Sequence, residues 1–181
     1  MADQVDMEPG ARIGSLTYVK GLGELLIEEN GRLGNLNWVT GLPKSSTAFF
    51  KEQPDRRPAL VIRSNAAITH RHLIDCTDLV EIGAYATFAG WGSQILTHAI
   101  DFAANRQSAL PVRIGAYAFV GTRCVFLKGA YLPERSILAA GSVLSTHETQ
   151  TDSLYSGVRA TWIKRLDTGL AYFQRHLGFV Q

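Results

Sequence analysis

Five histidines supply the side chains that can take up a proton near neutral pH. His98 is the one placed for chemistry. It lies in Ile95-Leu96-Thr97-His98-Ala99-Ile100-Asp101, where the surrounding pattern breaks off, and such excursions commonly carry function. A neutral imidazole there can act as a general base. His70 and His72 form Thr69-His70-Arg71-His72. His70 reads as a turn residue. His72 falls in an inward slot, where an unpaired polar group would cost about 1–3 kcal/mol, so it must find a partner. A structural histidine, an acceptor-binding residue, and a zinc ligand alongside His70 and His98 are all open readings. His147 and His176 fall in the connector and tail and read as surface residues.

Other chemistries find little support. Cys124 occupies a small inward slot and reads as buried and inert, while Cys76 sits on a turn without an activating base. No Gly-x-Ser-x-Gly elbow and no phosphate-binding glycine loop occurs, and Gly21 and Gly23 do not make a dinucleotide fingerprint. The Lys164-Arg165 pair is either a solvated face or a partner for ligand phosphates.

The elements that must hold His98 are set by a six-residue repeat. Ile114, Val120, Phe126, Leu132, Leu138 and Leu144 are large and apolar; Ala118, Cys124, Ala130, Ser136 and Ser142, each two places before the next large residue, are small. Residues two apart point to one side of a strand. Gly115, Gly121, Gly129, Pro133 and Gly141 exclude a helix through this window. Short strands joined by regular turns, three to a coil, predict an all-β parallel β-helix. The period continues upstream through Ile62, Ile68 and Ile74, slips by two to Ile82 and Phe88, and leaves a trace at Ile13, Val19, Ile27, Leu33 and Val39. In this upstream stretch Ala66, Ala86 and Gly92 fill small positions, whereas His72, Asp78 and Gln94 break the pattern.

These signals divide the chain into N-terminal coils or a cap (1–59), a repeat domain (60–148) with an excursion at 97–112, and a connector with a C-terminal helix (149–181). The segment from Pro43 to Pro58 reads as a loop. Trp162, Leu166, Leu170, Phe173 and Leu177 recur at helical spacing and predict the helix, whose apolar face would pack on the coil end. A net charge of +2 with scattered basic residues argues against a nucleic-acid surface. No apolar run is long enough for a membrane span, no signal peptide is evident, and two unpaired cysteines suit a reducing cytoplasm.

Ile114-Gly115-Ala116-Tyr117-Ala118-Phe119-Val120-Gly121, Leu138-Ala139-Ala140-Gly141-Ser142-Val143-Leu144, Thr97-His98-Ala99-Ile100-Asp101 and Tyr155-Ser156-Gly157 through Leu166 together resemble the hexapeptide-repeat acyltransferases. The nearest branch is the sugar O-acetyltransferases, which includes maltose and galactoside acetyltransferases. The resemblance spans roughly residues 60 to 166. It implies a left-handed β-helix, a homotrimer with active sites between subunits, acetyl-CoA as co-substrate and no metal. It also implies that His98 deprotonates an acceptor hydroxyl, which attacks the thioester directly while a backbone N–H stabilises the oxyanion. Coenzyme A contacts carry over to Thr122, Ala140, Ser145, Thr146 and Lys164. Acceptor contacts carry over to His70 or His72, and Trp91, Asn105 and Arg106 are candidates to line the same site. The acceptor would be a sugar or polysaccharide precursor. The sequence departs from the family pattern in lacking its N-terminal helical cap, in lacking Asn-Pro between Ser153 and Thr161, and in having Thr146 where lysine is common. A γ-carbonic-anhydrase-like hydro-lyase, an amino-sugar N-acyltransferase and a non-catalytic scaffold are the competing readings.

Overall fold

The computed structural model describes residues 2–46 and 48–180. Six coils stack into a three-sided prism. Each contributes one strand to each of three parallel sheets, here A, B and C. The first coil is β1 (Gln4–Met7), β2 (Arg12–Ile13) and β3 (Tyr18–Lys20). The second is β4 (Glu24–Ile27), β5 (Arg32–Leu33) and β6 (Trp38–Thr40), and the third is β7 (Ala59–Ile62), β8 (Ala67–Ile68) and β9 (Leu73–Asp75). The fourth, β10 (Val80–Ile82), β11 (Thr87–Phe88) and β12 (Gln94–Leu96), is followed by an antiparallel hairpin, β13 (His98–Asp101) and β14 (Arg106–Ala109). The fifth coil is β15 (Val112–Ile114), β16 (Phe119–Val120) and β17 (Val125–Phe126), and the sixth is β18 (Tyr131–Leu132), β19 (Ile137–Leu138) and β20 (Val143–Leu144). Residues 4–40 therefore form two full coils.

The repeat becomes a core by register. Ile27, Ile62, Ile82, Ile114 and Leu132 stand one above another in sheet A; Leu33, Ile68, Phe88, Val120 and Leu138 in sheet B; Val39, Ile74, Ile95, Phe126 and Leu144 in sheet C. None is more than 2 % exposed. Each such burial contributes about 1.5–3 kcal/mol. Both cysteines lie inside, Cys76 as fully as Cys124, and burial pushes both thiols above their ordinary range.

The prism corners carry strain. Asn65, Tyr85, Tyr117 and Arg135 between sheets A and B, and Leu36, Arg71 and Arg123 between B and C, all hold positive φ without being glycine. Such residues cost of order 1 kcal/mol each and persist only where neighbours fix them. Here each turn donates to the turn one coil below: Tyr117 N to Ala84 O at 2.8 Å, Arg123 N to Trp91 O at 3.1 Å.

Two departures from the sequence expectation have physical causes. The B-to-C turn of the fourth coil holds one extra residue, so Phe88 and Ile95 are separated by one more position than their counterparts. Ser93, not Gly92, fills the small buried slot, and Gln94 lies outward. The expected C-terminal helix is short. Thr161–Arg165 is a strand, β22, running antiparallel to β21 (Ser153–Ser156), which itself extends sheet B beyond β19. Ladder hydrogen bonds at that sheet edge outweigh the helical spacing of Trp162 and Leu166. Only Ala171–Gln174 is helical (α1), and Phe173 is the one member of the expected stripe that is buried. The tail then runs back along the A-to-B edge. Tyr117 Oη donates to Arg175 O at 3.3 Å, and the Arg175 guanidinium lies 3.9 Å from the Tyr172 ring centre. Among the described residues no helix is long and apolar enough to cross a membrane.

Candidate active site

His98 opens the hairpin, at the C-to-A edge of the prism. Its Nδ1 lies 2.7 Å from Asp75 Oδ2, so Nδ1 carries the hydrogen and donates it, which leaves Nε2 with the lone pair. Among the described residues Nε2 has no hydrogen-bond partner, and the side chain is 34 % exposed. This is the tautomer a general base requires.

Asp75 is at the end of β9, one coil below Leu96. Its Oδ1 accepts from Thr77 N at 3.0 Å and Thr77 Oγ1 at 2.6 Å. Its Oδ2 accepts from Thr97 N at 2.9 Å and His98 N at 3.2 Å as well as from the ring. Thr97 Oγ1, which accepts from Asp78 N, sits 2.9 Å from Oδ2. Burial alone would raise this carboxyl, but the hydrogen bonds from His98, Thr77 and Thr97 and the charge of His98 hold it below the usual range. The imidazole shifts the other way. Its hydrogen bond to Asp75 raises it, against partial burial, with the Asp75 charge adding to the rise and the Arg56 charge opposing it. The result is a fixed, ionised acceptor behind a more basic imidazole.

A strap covers this corner. Residues 43–46 and 48–58 leave the prism between the second and third coils. Buried Arg56 donates to Leu42 O at 2.6 Å, to Pro43 O at 3.1 Å and to Thr77 O. The Gln53 amide clips the backbone of Ala109 twice, each at 2.9 Å. Phe50 is then sandwiched, 4.5 Å from the Arg56 guanidinium and edge-on to His98 at 6.2 Å between ring centres. Strap and hairpin enclose a cleft of about 610 Å³ lined by Phe49, Phe50, Ile100, Asn105, Arg106 and Gln107 among others, with Arg106 paired to Glu52. Ile100 is two residues along β13 from His98 and so shares its face.

The expected site residues fall into separate places. Asn105 and Arg106 line the cleft, whose wall includes Phe50, edge-on to His98, but not His98 itself. Ser145 and Thr146 follow β20 on the same C-to-A edge. Thr122 and Ala140 lie on the B-to-C edge with His70 and Trp91, and Lys164 is exposed on β22. His72 is a core residue. Its Nδ1 accepts from Ser93 N at 3.2 Å, its Nε2 meets Thr69 Oγ1 at 3.1 Å, and burial together with the charge of His70 lowers it to about 4. With His72 engaged inside and His98 on another edge, the three histidines do not converge, and the zinc reading falls. Asp75 was not foreseen. Stacking the equivalent isoleucines Ile74 and Ile95 would have put it directly beneath the residues before His98.

No protein-family model matches this sequence, and no curated protein matches it. Solved structures do match it. AntD, an N-acyltransferase from Bacillus cereus, in complex with dTDP and coenzyme A, gives a TM-score of 0.75 at 13% identity, covering 93% of this chain and 88% of that one. Another AntD variant, with dTDP-4-amino-4,6-dideoxyglucose and coenzyme A, gives 0.73 at 12% identity over 93% and 88% of the two chains. A hexapeptide-repeat-containing acetyltransferase from Vibrio cholerae, complexed with acetyl coenzyme A, gives 0.52 at 19% identity over 88% and 72%. The fold is that of the hexapeptide-repeat acyltransferases.

Proposed function

We propose that this chain is an acetyl-CoA-dependent O-acetyltransferase acting on a sugar or polysaccharide precursor. The observation that carries the reading is the Asp75–His98 pair, with Nε2 unpartnered among the described residues and the side chain about one-third exposed. His98 Nε2 takes the proton of an acceptor hydroxyl as its oxygen attacks the thioester carbonyl. The tetrahedral intermediate collapses, the C–S bond breaks, and the sulfur leaves with the proton returned from His98. Asp75 keeps the ring oriented and stabilises the imidazolium that forms between these steps. General-base help of this kind is worth about 10²–10⁴ in rate.

Coenzyme A would run past Thr122 and Ala140 on one edge and Ser145 and Thr146 on another, with Lys164 near its phosphates. One copy does not gather these residues. A threefold assembly that sets the C-to-A edge of one copy against the B-to-C edge of the next would do so, which supports a homotrimer with shared sites. The two buried free thiols agree with a reducing, cytoplasmic setting.

N-acylation of an amino sugar is the second reading, favoured by the likeness to AntD along nearly the whole chain. Thiol release from acetyl-CoA, measured across hydroxyl and amino sugars and their nucleotide derivatives, tests the proposal. Release with a hydroxyl acceptor, giving a product cleaved by mild base, supports an ester. A base-stable product supports the amide. No release with any acceptor, and no acetyl-CoA binding, leaves only a scaffold.

A further inference from the structure

The three edges of the prism are not alike. The A-to-B edge is covered by the tail, which reaches from Tyr117 in the fifth coil to Arg32 in the second, where Phe179 lies 5.8 Å from the guanidinium. The C-to-A edge carries the strap and the hairpin. Within a single copy the B-to-C edge is bare among the described residues.

That edge is also the one without acid. Its six turns are Gly14-Ser15-Leu16-Thr17, Gly34-Asn35-Leu36-Asn37, Thr69-His70-Arg71-His72, Ala89-Gly90-Trp91-Gly92-Ser93, Gly121-Thr122-Arg123-Cys124 and Ala139-Ala140-Gly141-Ser142. None contains Asp or Glu, whereas the A-to-B turns contain Glu8, Glu28, Glu29 and Glu134. At mid-height the third, fourth and fifth coils present Arg71, Trp91 and Arg123 in one column, all exposed. Among the described residues neither arginine has an ion-pair partner.

The column is built rather than incidental. The extra residue of the fourth coil pushes Trp91 outward between Gly90 and Gly92, both at φ 69°. Thr122 Oγ1 donates to Trp91 O at 2.9 Å and lies 3.2 Å from Trp91 N, which donates to it. The indole is 54 % exposed, with the Arg71 guanidinium 5.8 Å from its ring centre. Coils stack about 4.8 Å apart, so the two arginine backbones are about 10 Å apart with the indole between them. His70 adds a donor: its Nδ1 accepts from Asn35 N at 2.8 Å, so Nε2 carries the hydrogen and turns it outward.

A flat aromatic face flanked by two unpaired guanidiniums fits a ring that bears anionic groups. We infer that the acceptor is an acidic sugar or short acidic glycan, its ring on Trp91 and its carboxylate or phosphate groups on Arg71 and Arg123. The inference rests on the acyl-transfer reading in calling the ligand an acceptor, and on the proposed trimer, which sets this edge beside His98 of the next copy.

Calorimetric titration without acetyl-CoA tests the binding itself, using trigalacturonic acid, glucose 1-phosphate and maltotriose as probes. Trigalacturonic acid or glucose 1-phosphate binds, whichever anion the site takes, and neutral maltotriose binds at least about tenfold more weakly, as charge-assisted hydrogen bonds require. Arg71→Gln and Arg123→Gln each weaken the acidic probe about tenfold and flatten its salt dependence, and Trp91→Ala weakens it too. Equal affinity for acidic and neutral probes, or indifference to all three substitutions, overturns the inference. So do arginine variants that dissociate the assembly yet bind the acidic probe as tightly as the native protein, which would make the column a subunit contact alone. A protein that binds the acidic probes and transfers no acetyl group keeps this inference and loses the acyl-transfer reading; one that acetylates neutral sugars without binding acidic ones does the reverse.

Discussion

Asp75 does at the residue level what makes His98 more than a loop histidine. Its carboxylate is held by Thr77 and by the backbone of Thr97 and His98, so it stays ionised and keeps the proton on Nδ1. Because His98 is raised by this hydrogen bond, transfer should fall as pH drops through that raised value and the base becomes protonated. Asp75→Asn removes the charge that favours imidazolium. Its acid limb should move to lower pH while its plateau rate drops about tenfold or more, read from a pH–rate profile. An unmoved limb would separate Asp75 from the base. His72 makes the opposite prediction for stability. Above pH 6.5 it is neutral in both folded and unfolded chains. Between 6.5 and about 4 the unfolded chain binds a proton that the buried ring refuses, so stability falls with acidification by up to about 3 kcal/mol. Urea unfolding of His72→Gln over this range should give a flatter dependence, and an unchanged slope would contradict the assignment.

Among the elements, the coils were legible, whereas the excursions at 43–58 and 97–112 could be read only as breaks in the repeat. Bulky and small positions alternate because three strands must share one narrow interior, and that demand is written into every sixth residue from Ile114 to Leu144. The strap and hairpin answer to no such period. Their placement depends on single contacts, such as Gln53 with Ala109 and Arg56 with Thr77, between residues far apart in the chain. Asp75 was missed for the same reason, since its meaning lies one coil away. The C-terminal stripe misled because helical spacing was read without the open sheet edge that claims Thr161–Arg165. Turn packing makes a test at this scale. A Cβ on Gly121 would lie 2.6 Å from Ala140 N and 2.8 Å from its Cα, both backbone atoms. Gly121→Ala should therefore cost about 1–3 kcal/mol by overpacking, measured by chemical denaturation. A neutral outcome would mean that the coils can separate locally.

For the whole molecule, the prism is a ruler with three different edges. One is covered by the tail, one carries His98, and one is open in the single copy, its turns free of acid. The residues proposed to hold coenzyme A are divided between the latter two and β22, so on that proposal a single copy holds an incomplete site. Light scattering should accordingly find three chains per particle, and a monomer at working concentration would contradict shared sites. The most direct measurement is acetyl-CoA turnover by the native protein and by His98→Asn, side by side at saturating acetyl-CoA and acceptor, with acetyl-CoA affinity measured on both. The account predicts similar affinity and turnover reduced by about 10²–10⁴ in the variant. Equal turnover in the two would contradict it.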